Sequence, residues 1–185
     1  MFYLCSIGSN LEPQRHVGQA LDELITQFGW LQLSSVIRTK PVGMHSRHDF
    51  LNCLFVIESR LETTELKQWF VTLEVTHGRD RNDPLCKVHD RPLDIDILAS
   101  SPIADFATAR VDSYLAPLLA EWYSTGEVHA AKVALSLCSP LAAGHGHHQQ
   151  IGLHPVTLQL ASQGGQGTAP IHLDAGPRHV TVLHQ

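Results

Sequence analysis

The chain has 185 residues, 43% hydrophobic and 17% charged, a composition that suits one globular domain with a sizeable core. Its net charge of −5 and lack of a long polybasic run exclude the basic field of a duplex binder or an anionic-membrane binder, so neither nucleic acid nor membrane is an expected partner. No apolar run approaches ~18 residues, and the first residues lack a charged region ahead of an apolar segment with a cleavage site, so neither membrane spanning nor export is expected. Cys5, Cys53, Cys86 and Cys138 have no metal-ligand spacing and read as reduced cysteines of a cytoplasmic protein.

In chain order, Phe2 to Ile7 is an apolar run broken by Gly8-Ser9-Asn10, and Ser9 with Glu12 fits an S-x-x-E capping box. A strand therefore turns into a helix, whose stripe is Val17, Ala20, Leu21, Leu24, Ile25 and Phe28 and whose stop is Gly29. Leu31 to Arg38 reads as a second strand. A loop with Pro41 and Gly43 leads to a third, Phe50 to Glu58. There Leu51, Cys53 and Phe55 share one face, and Phe50, Asn52 and Leu54 the other. Phe50 beside Asn52 either stacks and reads a planar heterocycle, or is a core aromatic next to an amide that bonds loop backbone. A second helix, Glu62 to His77, carries Leu66, Trp69, Phe70 and Leu73, with Thr63 or Thr64 as cap and Gly78 past its end. A polar, basic loop from Arg79 to Pro84 runs on through Lys87 and His89.

Arg91-Pro92-Leu93-Asp94-Ile95-Asp96-Ile97-Leu98 then reads as a strand with Leu93, Ile95 and Ile97 in a core and Asp94 and Asp96 on the opposite face. Residues two apart on a strand have Cα atoms about 6.6 Å apart, and repulsion between two carboxylates so placed favours a cation held between them. The pair is either a solvated acidic face or a site for Mg²⁺, which takes oxygens from one or two carboxylates and from substrate phosphates. Nine of the thirteen Lys and Arg residues fall between Arg38 and Arg91, and basicity beside carboxylates suits a metal-bound polyphosphate. Without metal, alanine at either aspartate should relieve repulsion and leave stability unchanged or slightly higher.

The order strand, helix, strand, strand, helix, strand predicts an α+β, ferredoxin-like β-α-β-β-α-β sandwich. From Pro102 to Leu137 the composition turns helical, with Tyr114, Leu115, Leu118, Leu119 and Trp122 packing on the sheet. We divide the chain into a domain over 1–140 and a tail over 141–185. The tail holds Gly144-His145-Gly146-His147-His148, either a transition-metal knot or a flexible linker. Val156 to Leu160 and His179 to Leu183 alternate like short strands.

Three collinear segments carry a resemblance: Ser6-Ile7-Gly8-Ser9-Asn10-Leu11; Arg38-Thr39 through Phe50-Leu51-Asn52; and Glu74 through Gly78-Arg79 with the acidic strand. Over about residues 3 to 98 the chain resembles the 6-hydroxymethyl-7,8-dihydropterin pyrophosphokinase (2-amino-4-hydroxy-6-hydroxymethyldihydropteridine diphosphokinase) family of folate biosynthesis. The resemblance implies a ferredoxin-like fold, ATP as co-substrate, Mg²⁺ as two ions, and 6-hydroxymethyl-7,8-dihydropterin as acceptor. It assigns catalysis to Arg79, Arg91, Asp94 and Asp96, the last two as metal ligands. It assigns pterin contacts to Thr39, Val42, Phe50, Asn52 and Tyr114, and nucleotide contacts to Glu74, Arg81, Lys87 and Ile97. After residue 98 the chain departs from the family. It lacks the usual Pro-His pair, keeps only Tyr114-Leu115-Ala116-Pro117-Leu118 of the later pattern, and has Val88 where the family carries a loop aromatic. That segment supports a second reading, a pterin- or nucleotide-binding paralogue with a regulatory or partner-binding role and impaired turnover.

Overall fold

Along β1 (Phe2–Ser9), Tyr3, Cys5 and Ile7 face one side of a sheet and Phe2 and Leu4 the other. The same period of two along β4 (Phe50–Glu58) sends Leu51, Cys53, Phe55 and Ile57 to the first side and Leu54 and Val56 to the second. Strands so alternated bury both faces, and these two pair antiparallel at the centre of the sheet. The computed structural model describes residues 1–42, 46–86, 88–137, 149–160 and 171–174. Lys87, the His-rich stretch 145–148 and the expected strand from His179 to Leu183 lie outside the described residues.

β5 (Asp94–Ser101) pairs antiparallel with the free side of β1, and β2 (Trp30–Leu33) and β3 (Ile37–Thr39) share the free side of β4. With α1 (Pro13–Phe28) and α2 (Thr63–Thr76) on the first face, this is the expected ferredoxin-like α+β arrangement, with strand order β5-β1-β4-β2. The helices bury the stripes their spacing indicated: Val17, Ala20, Leu21, Leu24 and Ile25 from α1, Leu66, Phe70 and Leu73 from α2. Each large side chain withdrawn from water contributes about 1.5–3 kcal/mol. Against the second face lie α3 (Ala116–Trp122) and Phe106, covering Leu4, Leu54 and Val56.

Four local expectations are corrected. Glu12, in the left-handed region at φ 42°, is the N-cap of α1 without a side-chain cap bond, and the Ser9 hydroxyl donates to the Leu11 carbonyl instead. Pro13, which has no N–H and has φ pre-set for a helix, starts α1 at the first helical position, where that donor would have no intrahelical partner. On α2 the capping box is formed by Glu62 and Glu65, not by Thr63 or Thr64. The second strand breaks at Ser34: the Leu54 N–H donates to the Ser34 hydroxyl at 2.9 Å, so a side chain replaces a ladder carbonyl and the chain turns away before β3. Helix between 102 and 137 is confined to the seven residues of α3, because Asp105 and Asp112 close turns with the backbone ahead of it and Ser124 at φ 57° ends it.

The tail joins this frame. β6 (Leu135–Leu137) pairs with β7 (Gln149–Ile151), β8 (Val156–Leu160) adds to β2, and β9 (Ile171–Asp174) adds to β8. Gly152 makes the junction: at φ 96° a Cβ there would lie 2.5 Å from the Val133 carbonyl oxygen, so no other residue fits.

Between α1 and α2, His16 and His77 meet Nδ1 to Nδ1 at 2.8 Å, His77 Nε2 lies 3.1 Å from Glu23, and an Arg15 N–H points at His16 Nε2 from 3.0 Å. Arginine can only donate and the carboxylate only accept. One directional chain therefore uses every nitrogen: Arg15 to His16, His16 to His77, His77 to Glu23. An added proton on His16 breaks it. Burial, Arg15 and His77 push the His16 pKa below its ordinary value, against the opposite pull of Glu12. The unfolded chain thus takes up this proton first, so stability is full above about pH 6.5 and declines as pH falls below it. Urea midpoints between pH 7.5 and 5.5 should show the decline, and His16→Gln should flatten it. An equal slope in that variant would assign the effect to other groups.

Candidate active site

The strand ends of β1, β3, β4 and β5 converge on one pocket, lined by Ser6, Gly8, Thr39, Lys40, Val42, Phe50, Asn52, Arg91, Asp94, Asp96 and Tyr114 among others. It opens on the face opposite the two long helices, because Phe50 and Asn52 share the face of Leu54, and Asp94 and Asp96 the face away from the buried Ile95. All five expected pterin contacts and three of the four expected catalytic residues are thus together.

Pairing across β3 and β4 sets Thr39 opposite Phe50 and Ile37 opposite Asn52. The Asn52 amide donates to the Thr39 hydroxyl at 2.7 Å. Asn52 is 7% exposed and its oxygen lies over Gly8, where a Cβ would approach it to 2.6 Å. Gly8, taken from sequence as a turn residue, therefore clears the space that the amide occupies. The Arg91 guanidinium sits 5.9 Å from the centre of the Phe50 ring, which makes a cation–π contact and leaves a flat polar-aromatic wall.

On β5 each aspartate is held by cations of the chain. Asp94 is gripped by Arg79 on one oxygen and Arg91 on the other. Burial would raise its pKa, but the two guanidinium groups outweigh that and hold the carboxyl below its usual range. Asp96 accepts from Lys67 of α2 at 2.8 Å, and the same ammonium donates to the Ile95 carbonyl at 2.6 Å. These pairs answer the expected repulsion between the carboxylates. Tyr114, 37% exposed at the rim, has its pKa raised by partial burial and by Asp112, Asp94 and Asp96.

Other candidates lie elsewhere. Arg79 is 8% exposed and held by Glu74 at 3.0 Å as well as by Asp94, so it acts on the pocket through Asp94. Glu74 is wholly buried, with Arg79 and Arg81 on one oxygen and the Ile95 N–H at 2.8 Å on the other. Its carboxylate is the hub of this ion cluster and has no surface to offer a nucleotide. Arg81 is turned toward Glu74, and Ile97 packs against the core on the helix side. Lys67 was not found from sequence, since its part depends on α2 lying along β5. A larger, more open groove of about 800 Å³ runs between α1 and α2 past His16, His77 and Trp69. We assign the chemistry to the smaller pocket because it is the one of the two that gathers the Asp94–Asp96 pair, Arg91, Phe50 and Asn52 at the strand ends, whereas the groove is lined by side chains of α1 and α2 and by His77 and Gly78 just past α2.

The sequence model of the family described as 7,8-dihydro-6-hydroxymethylpterin-pyrophosphokinase matches residues 4–120. The chain belongs to that family. Similar relatives are the 2-amino-4-hydroxy-6-hydroxymethyldihydropteridine pyrophosphokinases of two strains of Porphyromonas gingivalis, each 38% identical over 99 residues, which cover 52% of this chain and 67% of the relative. The pyrophosphokinase match runs past residue 98 through Tyr114 and most of α3, so the departing segment lies within the family's span. Among the described residues no helix is long and apolar enough to cross a membrane.

Proposed function

We propose that this chain transfers the β,γ-diphosphoryl group of ATP to the hydroxymethyl oxygen of 6-hydroxymethyl-7,8-dihydropterin, releasing AMP, as a cytosolic step of folate biosynthesis. The carrying observation is the single pocket that joins Phe50, Asn52 and Thr39 to Asp94, Asp96 and Arg91. Phe50 stacks on the pterin ring, Asn52 reads its amide edge, and Thr39, Val42 and Tyr114 close the sides. The acceptor oxygen bonds to the β-phosphorus as the bridge to the α-phosphate breaks, and the hydroxyl proton leaves to solvent. Such transfer asks mainly for alignment and charge stabilisation.

Mg²⁺ fits this donor set. Among the described residues no group of three acidic, His or Cys ligands is present, and Mg²⁺ is suited by one or two carboxylates completed with phosphate oxygens and water. We propose that Asp94 and Asp96 hold two such ions, which when bound neutralise charge on the triphosphate. Arg79 holds Asp94 in place from below, and Arg91 adds positive charge at the pocket wall. Arg81 and Lys87, on the loop between α2 and β5, are proposed to help bind nucleotide.

Purified protein given MgATP and the pterin alcohol should release AMP, and Asn52→Ala should weaken pterin binding about tenfold or more in calorimetry without changing MgATP binding. No AMP under any condition, with pterin still bound, would replace this reading with that of a pterin-binding paralogue.

A further inference from the structure

We propose that Asp90 is a positioning residue that fixes the distance between the two walls of the pterin pocket; this rests on the diphosphotransferase reading above. Asp90 immediately precedes Arg91 and joins three segments distant in sequence. Its Oδ2 accepts from His48 Nδ1 at 2.7 Å and its Oδ1 accepts from the Asn10 amide at 2.6 Å. Ser46 bonds the same carboxylate, and the Asn10 amide also reaches the Ser46 hydroxyl at 3.2 Å. Asn10, 3% exposed at the end of β1, completes the joint: its side-chain oxygen accepts from the Arg91 N–H at 2.7 Å, and its own N–H donates to the Arg91 carbonyl at 3.1 Å.

Ser46 and His48 stand on the loop that begins beyond Thr39 and re-enters the sheet at Phe50. Among the described residues this loop is tied at its base by the exposed Lys40–Asp49 pair at 2.9 Å, a contact worth little in water. Its further tethers meet at Asp90 and at the Asn10 amide that Asp90 holds. One carboxylate therefore connects the loop that bears Val42 and leads into Phe50 to the backbone of the arginine that faces Phe50. Burial works against the charge on Asp90, but hydrogen bonds from Ser46, His48 and Asn10 prevail and keep its pKa below the ordinary carboxylate value. The acceptor thus stays ionised through the neutral range, where its bonds are strongest.

Without Asp90 the loop loses the bonds of His48 and Ser46 to the carboxylate and keeps the longer Asn10–Ser46 bond, so the pterin must supply more of its ordering and that cost appears in binding. Arg91 keeps Asp94 as a partner, and the aspartates that serve the triphosphate are untouched. Asp90→Ala should raise the pterin KM, and the pterin Kd by calorimetry, about tenfold, with kcat and the ATP KM within about twofold. His48→Ala should move the same constants in the same direction, and the double variant should be no worse than Asp90→Ala, because both changes cut one joint. Asp90→Asn, which keeps an acceptor for Asn10, should fall between. Unchanged pterin binding in Asp90→Ala, additive losses in the double variant, or an equal fall in both substrates' kcat/KM with a lowered Tm would overturn the proposal. Wild type that binds pterin but releases no AMP defeats the transfer reading and leaves Asp90 to be judged by Kd. Wild type that binds no pterin defeats both.

Discussion

Asp94→Ala and Asp96→Ala are each expected to lower AMP release by about 10³-fold or more, since each removes a carboxylate on which the charge of the triphosphate depends. The two should differ in stability. From sequence, two crowded carboxylates implied that either loss would be neutral or mildly stabilising. The structure overturns that for Asp94, because its charge is matched by Arg79 and Arg91 and Arg79 is buried. Removing it leaves Arg79 with Glu74 as its remaining ionic partner among the described residues and should cost roughly 1–3 kcal/mol. Asp96 is more than half exposed, and Lys67 retains the Ile95 carbonyl, so Asp96→Ala should stay within about 0.5 kcal/mol of wild type. AMP assays with MgATP titrations, beside urea unfolding, separate the two. Retention of a tenth of wild-type turnover in either variant would count against the metal-ligand assignment.

Glu74→Ala is the second large effect, on folding rather than on turnover alone. It leaves Arg79 with Asp94 as its remaining ionic partner among the described residues, takes from Arg81 the carboxylate it is turned toward, opens a cavity, and leaves the Ile95 N–H without its acceptor. Breaking a buried ion pair from one side costs about 3–5 kcal/mol, a large share of the 5–15 kcal/mol typical of a domain. Glu74→Gln, which keeps an acceptor for Ile95 but loses the charge, should cost less. Urea unfolding of both variants measures this directly, and a loss under about 1 kcal/mol for the alanine variant would mean that the cluster contributes no more than a surface pair.

The β-α-β-β-α-β order was legible because Leu51, Cys53 and Phe55 alternate with period two while Val17, Leu21, Leu24 and Phe28 recur at helical spacing. Alternation also set Asp94 with Asp96 and Phe50 with Asn52, so the pocket's residues were readable once the strands were. Contacts between distant segments were not. Nothing local marks the Ser34 hydroxyl as a substitute for a backbone carbonyl, Lys67 as the partner of Asp96, or Glu74 as a buried hub. Each depends on which element packs against which. Val156–Leu160 reads as a strand from its own residues, but its place beside β2 follows from the edge that β2 leaves open.

β5 ends the sheet on one side, and α2 lies along it with Glu74 and Lys67 two turns apart. Glu74 accepts the Ile95 N–H and Lys67 donates to the Ile95 carbonyl, so both backbone groups of this residue are occupied by side chains of one helix. A strand border with free amides and carbonyls invites a neighbouring molecule to pair with it, the first step toward aggregates. Here that invitation is withdrawn at Ile95, beside the carboxylates that the chemistry requires to stay open. The same two side chains therefore close this part of an active-site strand, at the margin of the sheet, to backbone pairing with a second copy.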